Sequence, residues 1–90
     1  MKKAVVSVVG VDAVGIIARV CTYLSKIGVN VLEISQTILD GLFNMMMIVD
    51  YSQASVEFGD IARDLDALGE EIGVTIHIQR EEIFTRMHRI

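Results

Sequence analysis

Val8-Val9-Gly10-Val11-Asp12-Ala13-Val14-Gly15-Ile16-Ile17 reads as an apolar strand that passes through a tight Gly/Asp turn directly into an amphipathic helix. Upstream, residues 4–9 are small or β-branched throughout. Ala4, Val6 and Val8 share one face, and Val5, Ser7 and Val9 share the other, which suits a strand buried on both faces. Downstream, Asp12 suits a helix N-cap. Ile17, Val20, Cys21, Leu24 and Ile27 then recur at three- and four-residue spacing, predicting a helix over about 13–27 that Gly28 stops. Gly10 reads as a turn residue. Gly15, placed inside the first helical turn, calls for a close neighbour, because glycine there costs up to ~1 kcal/mol against alanine. The N–H groups at such a helix start have no partner within the helix, so the place can hold a small anion or zwitterion.

The rest of the chain continues the pattern. Residues 29–39 read as a long strand whose apolar phase shifts from Val29 and Val31 to Leu32, Ile34 and Ile38, as a bulge or two-sided burial would require. Asp40-Gly41 is a two-residue hairpin turn, and residues 43–51 form the return strand, with Phe43, Met45, Met47 and Val49 on one face and Met46 and Ile48 on the other. Ser55 suits the cap of a second helix running to Ile72, striped by Phe58, Ile61, Leu65 and Leu68, and Gly73 ends it. Val74, Ile76 and Ile78 then alternate with Thr75, His77 and Gln79 as a half-exposed strand. A short amphipathic tail helix is expected over 81–90, with Ile83, Phe84, Met87 and Ile90 on one side. This order predicts an α+β, ferredoxin-like βαββαβ sandwich: a four-stranded antiparallel sheet with both helices on one face, in a single domain spanning 1–90. The other face would show Val5, Val9, Met46 and Ile48, too apolar to stay wet, and so predicted to pack on a second copy or on the tail.

Composition narrows the function. Ninety residues with 52% apolar content bury only about 60–65% of the unfolded surface, which favours a covering partner. The single Cys21 and five methionines fit a reducing cytoplasm. No stretch reaches the ~20 apolar residues of a membrane span, and a net charge of -4 disfavours a nucleic-acid backbone as partner. The first strand–helix loop has no arginine for phosphate chemistry and no cysteine pair for copper. The central strands lack the stacking aromatics of an RNA binder. Cys21, His77 and His88 have no metal-ligand spacing and no nucleophile–base arrangement, so neither a metal nor a catalytic role is expected. No cofactor is expected either.

Gly10-x-Asp12-x-x-Gly15-Ile16, Gly28-x-Asn30-Val31, Gln36-Thr37 and Asp40-Gly41-x-Phe43-x-Met45, taken in order, resemble the ACT domain through nearly the whole chain. The ending from Ile83 to Ile90 resembles small stand-alone ACT-domain proteins related to the glycine-cleavage regulator type. The resemblance implies a non-catalytic regulatory module, cytoplasmic and homodimeric. It would bind an amino acid or similar small effector between two domains and pass the signal to another protein, such as a metabolic enzyme or regulator. It implies that Asp12, Ala13, Val14 and Gly15 of one domain supply backbone donors, and that Asn30, with Val31 beside it, supplies polar contacts from the partner domain. With Ala13 and Val14 where many members carry a cation and a proline or serine, an effector carboxylate would depend on backbone N–H groups. The alternative is a ligand-independent protein–protein interaction module.

Overall fold

The computed structural model describes residues 1–11 and 14–81. Strand β1 (Lys3–Val11) leads to helix α1 (Ile16–Lys26), the hairpin β2 (Asn30–Leu39) and β3 (Leu42–Asp50), helix α2 (Phe58–Ile72) and strand β4 (Val74–Arg80). The sheet order is β2-β3-β1-β4, with every pairing antiparallel. This is the ferredoxin-like arrangement. Its first strand is central, with Ala4 opposite Val49 on one side and Arg80 on the other.

Alternation decides what is buried. Ala4, Val6 and Val8 of β1 lie on the same face as Phe43, Met45, Met47 and Val49 of β3, and all are buried. Ile16, Val20 and Leu24 of α1 and Ile61 and Leu65 of α2 complete this core, which both helices cover. The hairpin turn is as its sequence requires: Asp40 and Gly41 take φ of 57° and 77°, a pair of left-handed conformations matched to the twist of the strands. The phase shift in β2 is a bulge between Val31 and Glu33. β1 is not buried on both faces, since Ser7 is half-buried and Val9 is 39% exposed.

Both helices start later than expected, α1 by three residues from 13 and α2 by two residues from the position after Ser55. The N-cap of α1 is Gly15, at φ 88°, with no side-chain hydrogen bond, and the Arg19 N–H donates to the Gly15 carbonyl at 2.9 Å. Gly15 therefore stands before the helix. A Cβ added there meets nothing within 4 Å, so the left-handed backbone, not a close neighbour, explains the glycine. Helix α2 begins at Phe58 with Glu57 as its N-cap, so Ser55 is not the cap. Gly10 is likewise not a turn residue. It lies within β1, where an added Cβ would come within 2.7 Å of Val74 Cγ1. Asp12 is not the cap either, because that position is held by Gly15; the expected tail helix beyond Glu81 falls outside the described residues.

The helix layer is tied together by polar contacts. The Tyr23 hydroxyl donates to Asp64 Oδ2 at 2.6 Å, joining α1 to α2, and the exposed Arg19 and Glu71 pair across the same helices. At the end of the sheet where β4 finishes, the Phe58 ring tilts against Tyr51, 5.2 Å between centroids, with the Arg80 guanidinium 4.3 Å from its centre.

Candidate functional site

The register sorts the expected site residues to two ends of the sheet. Val11 pairs with Leu42, beside the hairpin turn, so the β1–α1 connection carrying Val14 and Gly15 lies at the hairpin end. Asn30 pairs with Asp50, which pairs with Lys3, at the opposite end. Val14, Gly15 and Asn30 are exposed, and Val31, opposite Val49, is half-buried against the core. One chain therefore does not bring Gly15 and Asn30 together. Asp12 and Ala13 lie outside the described residues.

A cleft of about 500 Å³ opens beside Gly15. It is lined by Ile16, Ile17 and Ala18 from the first turn of α1, and by Gln36, Ile38 and Phe43 from the hairpin. The N–H groups of that first turn have no carbonyl four residues back within the helix, so they are the donors a helix start offers. Gln36 adds a side-chain amide with both donor and acceptor. The remaining walls are apolar. The cleft is thus suited to a small ligand with a carboxylate and an apolar body, and among the described residues that line it there is no base or nucleophile.

The cleft is open because the helix layer stops short of β2. Ile34 and Ile38 lie opposite the buried Met47 and Phe43, on the core side of the sheet, yet they are 47% and 56% exposed. Gln36 and Ile38 were not among the site residues expected from sequence. Counting back from Asp40-Gly41 would have found them: the turn fixes Ile38 opposite Phe43 and Gln36 opposite Met45, which puts both on the helix side.

Two titrating groups have clear structural causes. Burial first, and then the hydrogen bond to Asp64, holds the Tyr23 phenol above its ordinary range. At the Asn30 end, the Ser52 N–H donates to Asp50 Oδ1 at 2.9 Å and holds the Asp50 carboxyl below the usual carboxylate value. Neither group faces the cleft. Cys21 is a half-buried free thiol on α1, and His77 is exposed on β4. Among the described residues no cluster of three or more His, Cys, Asp or Glu could hold a metal ion, and no helix is long and apolar enough to cross a membrane.

An antiparallel ferredoxin-like sandwich, with a helix-start cleft against an open edge strand, defines the class: an α+β domain of the kind that regulatory ligand-binding modules use. The pattern of the ACT domain matches residues 2–79, and the chain belongs to that family, a family of regulatory modules that bind small ligands. It is 67% identical over 90 residues to a UPF0237 protein of Bifidobacterium longum, covering the whole of both chains. It superposes on an ACT domain protein from Streptococcus pneumoniae with a TM-score of 0.81 and 38% identity, over 92% of this chain and 93% of that one. A putative glycine cleavage system transcriptional repressor shares the fold, with a TM-score of 0.77 and 20% identity over 88% of this chain and 45% of that one.

Proposed function

We propose that this chain acts as a single ACT domain over residues 1–90, a non-catalytic cytoplasmic module that binds an amino acid at a homodimer interface and thereby modulates a partner protein. The observation that carries this reading is the cleft at the start of α1, open along the unpaired edge of β2. Two β2 edges joined antiparallel would extend the sheet to eight strands. The same pairing sets the Asn30 end of one strand beside the Leu39 end of the other. Asn30 and Val31 of one copy then approach the Asp12–Ala13–Val14–Gly15 turn of its partner, bringing together residues that lie at opposite ends of one chain. The effector carboxylate takes the N–H donors of the turn and the helix start. Its side chain enters the apolar cleft, and its ammonium group meets Asn30 and the Asp12 carboxylate.

A ligand present at 100 times its Kd stabilises the form that binds it by about 2.7 kcal/mol. Thermal unfolding scanned across the twenty amino acids at millimolar concentration tests the reading. A rise in Tm with one or a few related amino acids, lost in Asn30→Ala, is expected. A flat response to all twenty removes the amino acid. Sedimentation equilibrium tests the dimer separately, and a monomer at micromolar concentration would remove the paired edges.

A further inference from the structure

The backbone groups that β2 offers at its open edge are fixed by its own hairpin. Asp40 and Gly41 both take left-handed conformations, and the turn joins Leu39 to Leu42. Those two therefore form the hydrogen-bonded pair that closes a two-residue hairpin. Pairing runs without a break from Leu39 opposite Leu42 back to Glu33 opposite Ile48. Hydrogen-bonded pairs alternate along an antiparallel ladder, so Leu39, Thr37, Ser35 and Glu33 turn their N–H and C=O groups to β3. Ile38, Gln36 and Ile34 turn theirs to the open edge. The same three residues carry their side chains on the helix side of the sheet, where Gln36 and Ile38 line the cleft and Ile34 and Ile38 are about half exposed.

We propose, resting on the paired β2 edges of the preceding section, that the two-fold axis of the dimer passes through Gln36 and that the partner's Gln36 and Ile34 complete each cleft. In this register Gln36 faces its own copy, and Ile34 faces Ile38 of the partner on either side of the axis. All three opposed pairs exchange their two backbone hydrogen bonds within the regular part of β2. An axis at Ser35 would bring in Leu32, which lies in the bulge between Val31 and Glu33, and an axis at Thr37 would bring in Asp40 of the turn. The axis at Gln36 also sets Glu33 opposite Leu39 of the partner, about 20 Å along the strands from the other Glu33, so the like charges stay apart. Directly opposed side chains share a face. The half-exposed isoleucines thus cover one another, and the two Gln36 amides, on Cα atoms about 5.5 Å apart, bond across the axis. Each cleft thereby gains a wall on the side where the helix layer stops short, and the two clefts meet at one pair of amides.

The exposed residues on either side of Gln36 measure the register. With the axis at Gln36, Ser35 of one copy lies opposite Thr37 of the other as a non-hydrogen-bonded pair, with Cα atoms about 4.5 Å apart and within disulfide reach. Two full-length variants in a Cys21→Ser background, Ser35→Cys and Thr37→Cys, are co-expressed and treated with oxidised glutathione, which takes two electrons and two protons from each thiol pair. The expected main product is a cross-linked dimer with one chain of each kind, identified by its mass. Predominant links between two Ser35→Cys chains would place the axis at Ser35, and links between two Thr37→Cys chains would place it at Thr37. Either result overturns the proposal, as does the absence of any link in protein that sediments as a dimer. A monomer in sedimentation removes the paired edges themselves, so the two failures are told apart.

Discussion

The two edges of the sheet are built differently. At β4, helix α2 on one side and strand β1 on the other pack so closely on Val74 that glycine is required on both. A Cβ on Gly69 would come within 2.6 Å of the Val74 carbonyl oxygen, and one on Gly10 within 2.7 Å of its side chain. At β2 the core-facing residues Ile34 and Ile38 are about half exposed, and the nearest helix contributes only its first turn to a cleft. One edge spends its apolar surface inside the fold, and the other keeps it available. Stability should therefore concentrate at β4 and recognition at β2.

The largest expected effect compares the edges directly. Ile76→Ala on β4 should cost about 2–5 kcal/mol in chemical denaturation, as for a fully buried side chain. Ile34→Ala on β2 should cost less than about 1 kcal/mol, yet shift the sedimentation equilibrium toward monomer. Equal costs would break the comparison. Next, Gly69→Ala should destabilise by about 1–3 kcal/mol through the clash with β4 backbone. Gly59→Ala, on the same helix with nothing within 4 Å of its added Cβ, should be neutral or slightly stabilising.

Smaller effects probe the layer that joins the edges. Tyr23→Phe removes the tie between α1 and α2 and should cost about 1 kcal/mol at neutral pH. Because folding raises the phenol pKa, that contribution is complete below the unfolded value of about 10 and disappears as pH rises through the higher folded value. A denaturation series from pH 7 upward should show wild type and variant converging at the alkaline end. The smallest effect belongs to Asp50. Its folded pKa is lowered, so its contribution is present above the unfolded carboxylate value of about 3.9 and is lost as pH falls through the folded one. Asp50→Asn should flatten the acid limb of a stability profile between pH 6 and 2 and leave neutral stability nearly unchanged.

What the chain revealed in advance was local chemistry. The alternation in residues 4–9 and 43–49, the Asp40-Gly41 turn and the glycine stops at 28 and 73 depend on neighbours in sequence, and each appears as read. The helix starts did not, because Asp12 and Ser55 carry the side-chain acceptor that favours a cap, whereas both helices begin without any side-chain cap bond. Gly10 and Gly69 were opaque for another reason: their neighbour Val74 arrives only when β4 inserts beside β1. For the cleft, the turn at Gly15 was legible, but Gln36 and Ile38 became site residues only once the edge position of β2 left them uncovered.

Strand order also sets the order of assembly. The β2–β3 hairpin closes over a two-residue turn and can form from its own sequence. β1, made first, can close only its β3 side at that stage. Its other side waits for β4, because Ala4 pairs with Arg80. On a ribosome the central strand would therefore keep an open hydrogen-bonding edge until β4 had emerged. Among the strand pairings that of β4 with β1 spans the longest stretch of sequence, and it is the one expected to form slowly. A variant that weakens the Gly10–Val74–Gly69 stack would show itself as aggregation during synthesis before it showed itself in the folded protein.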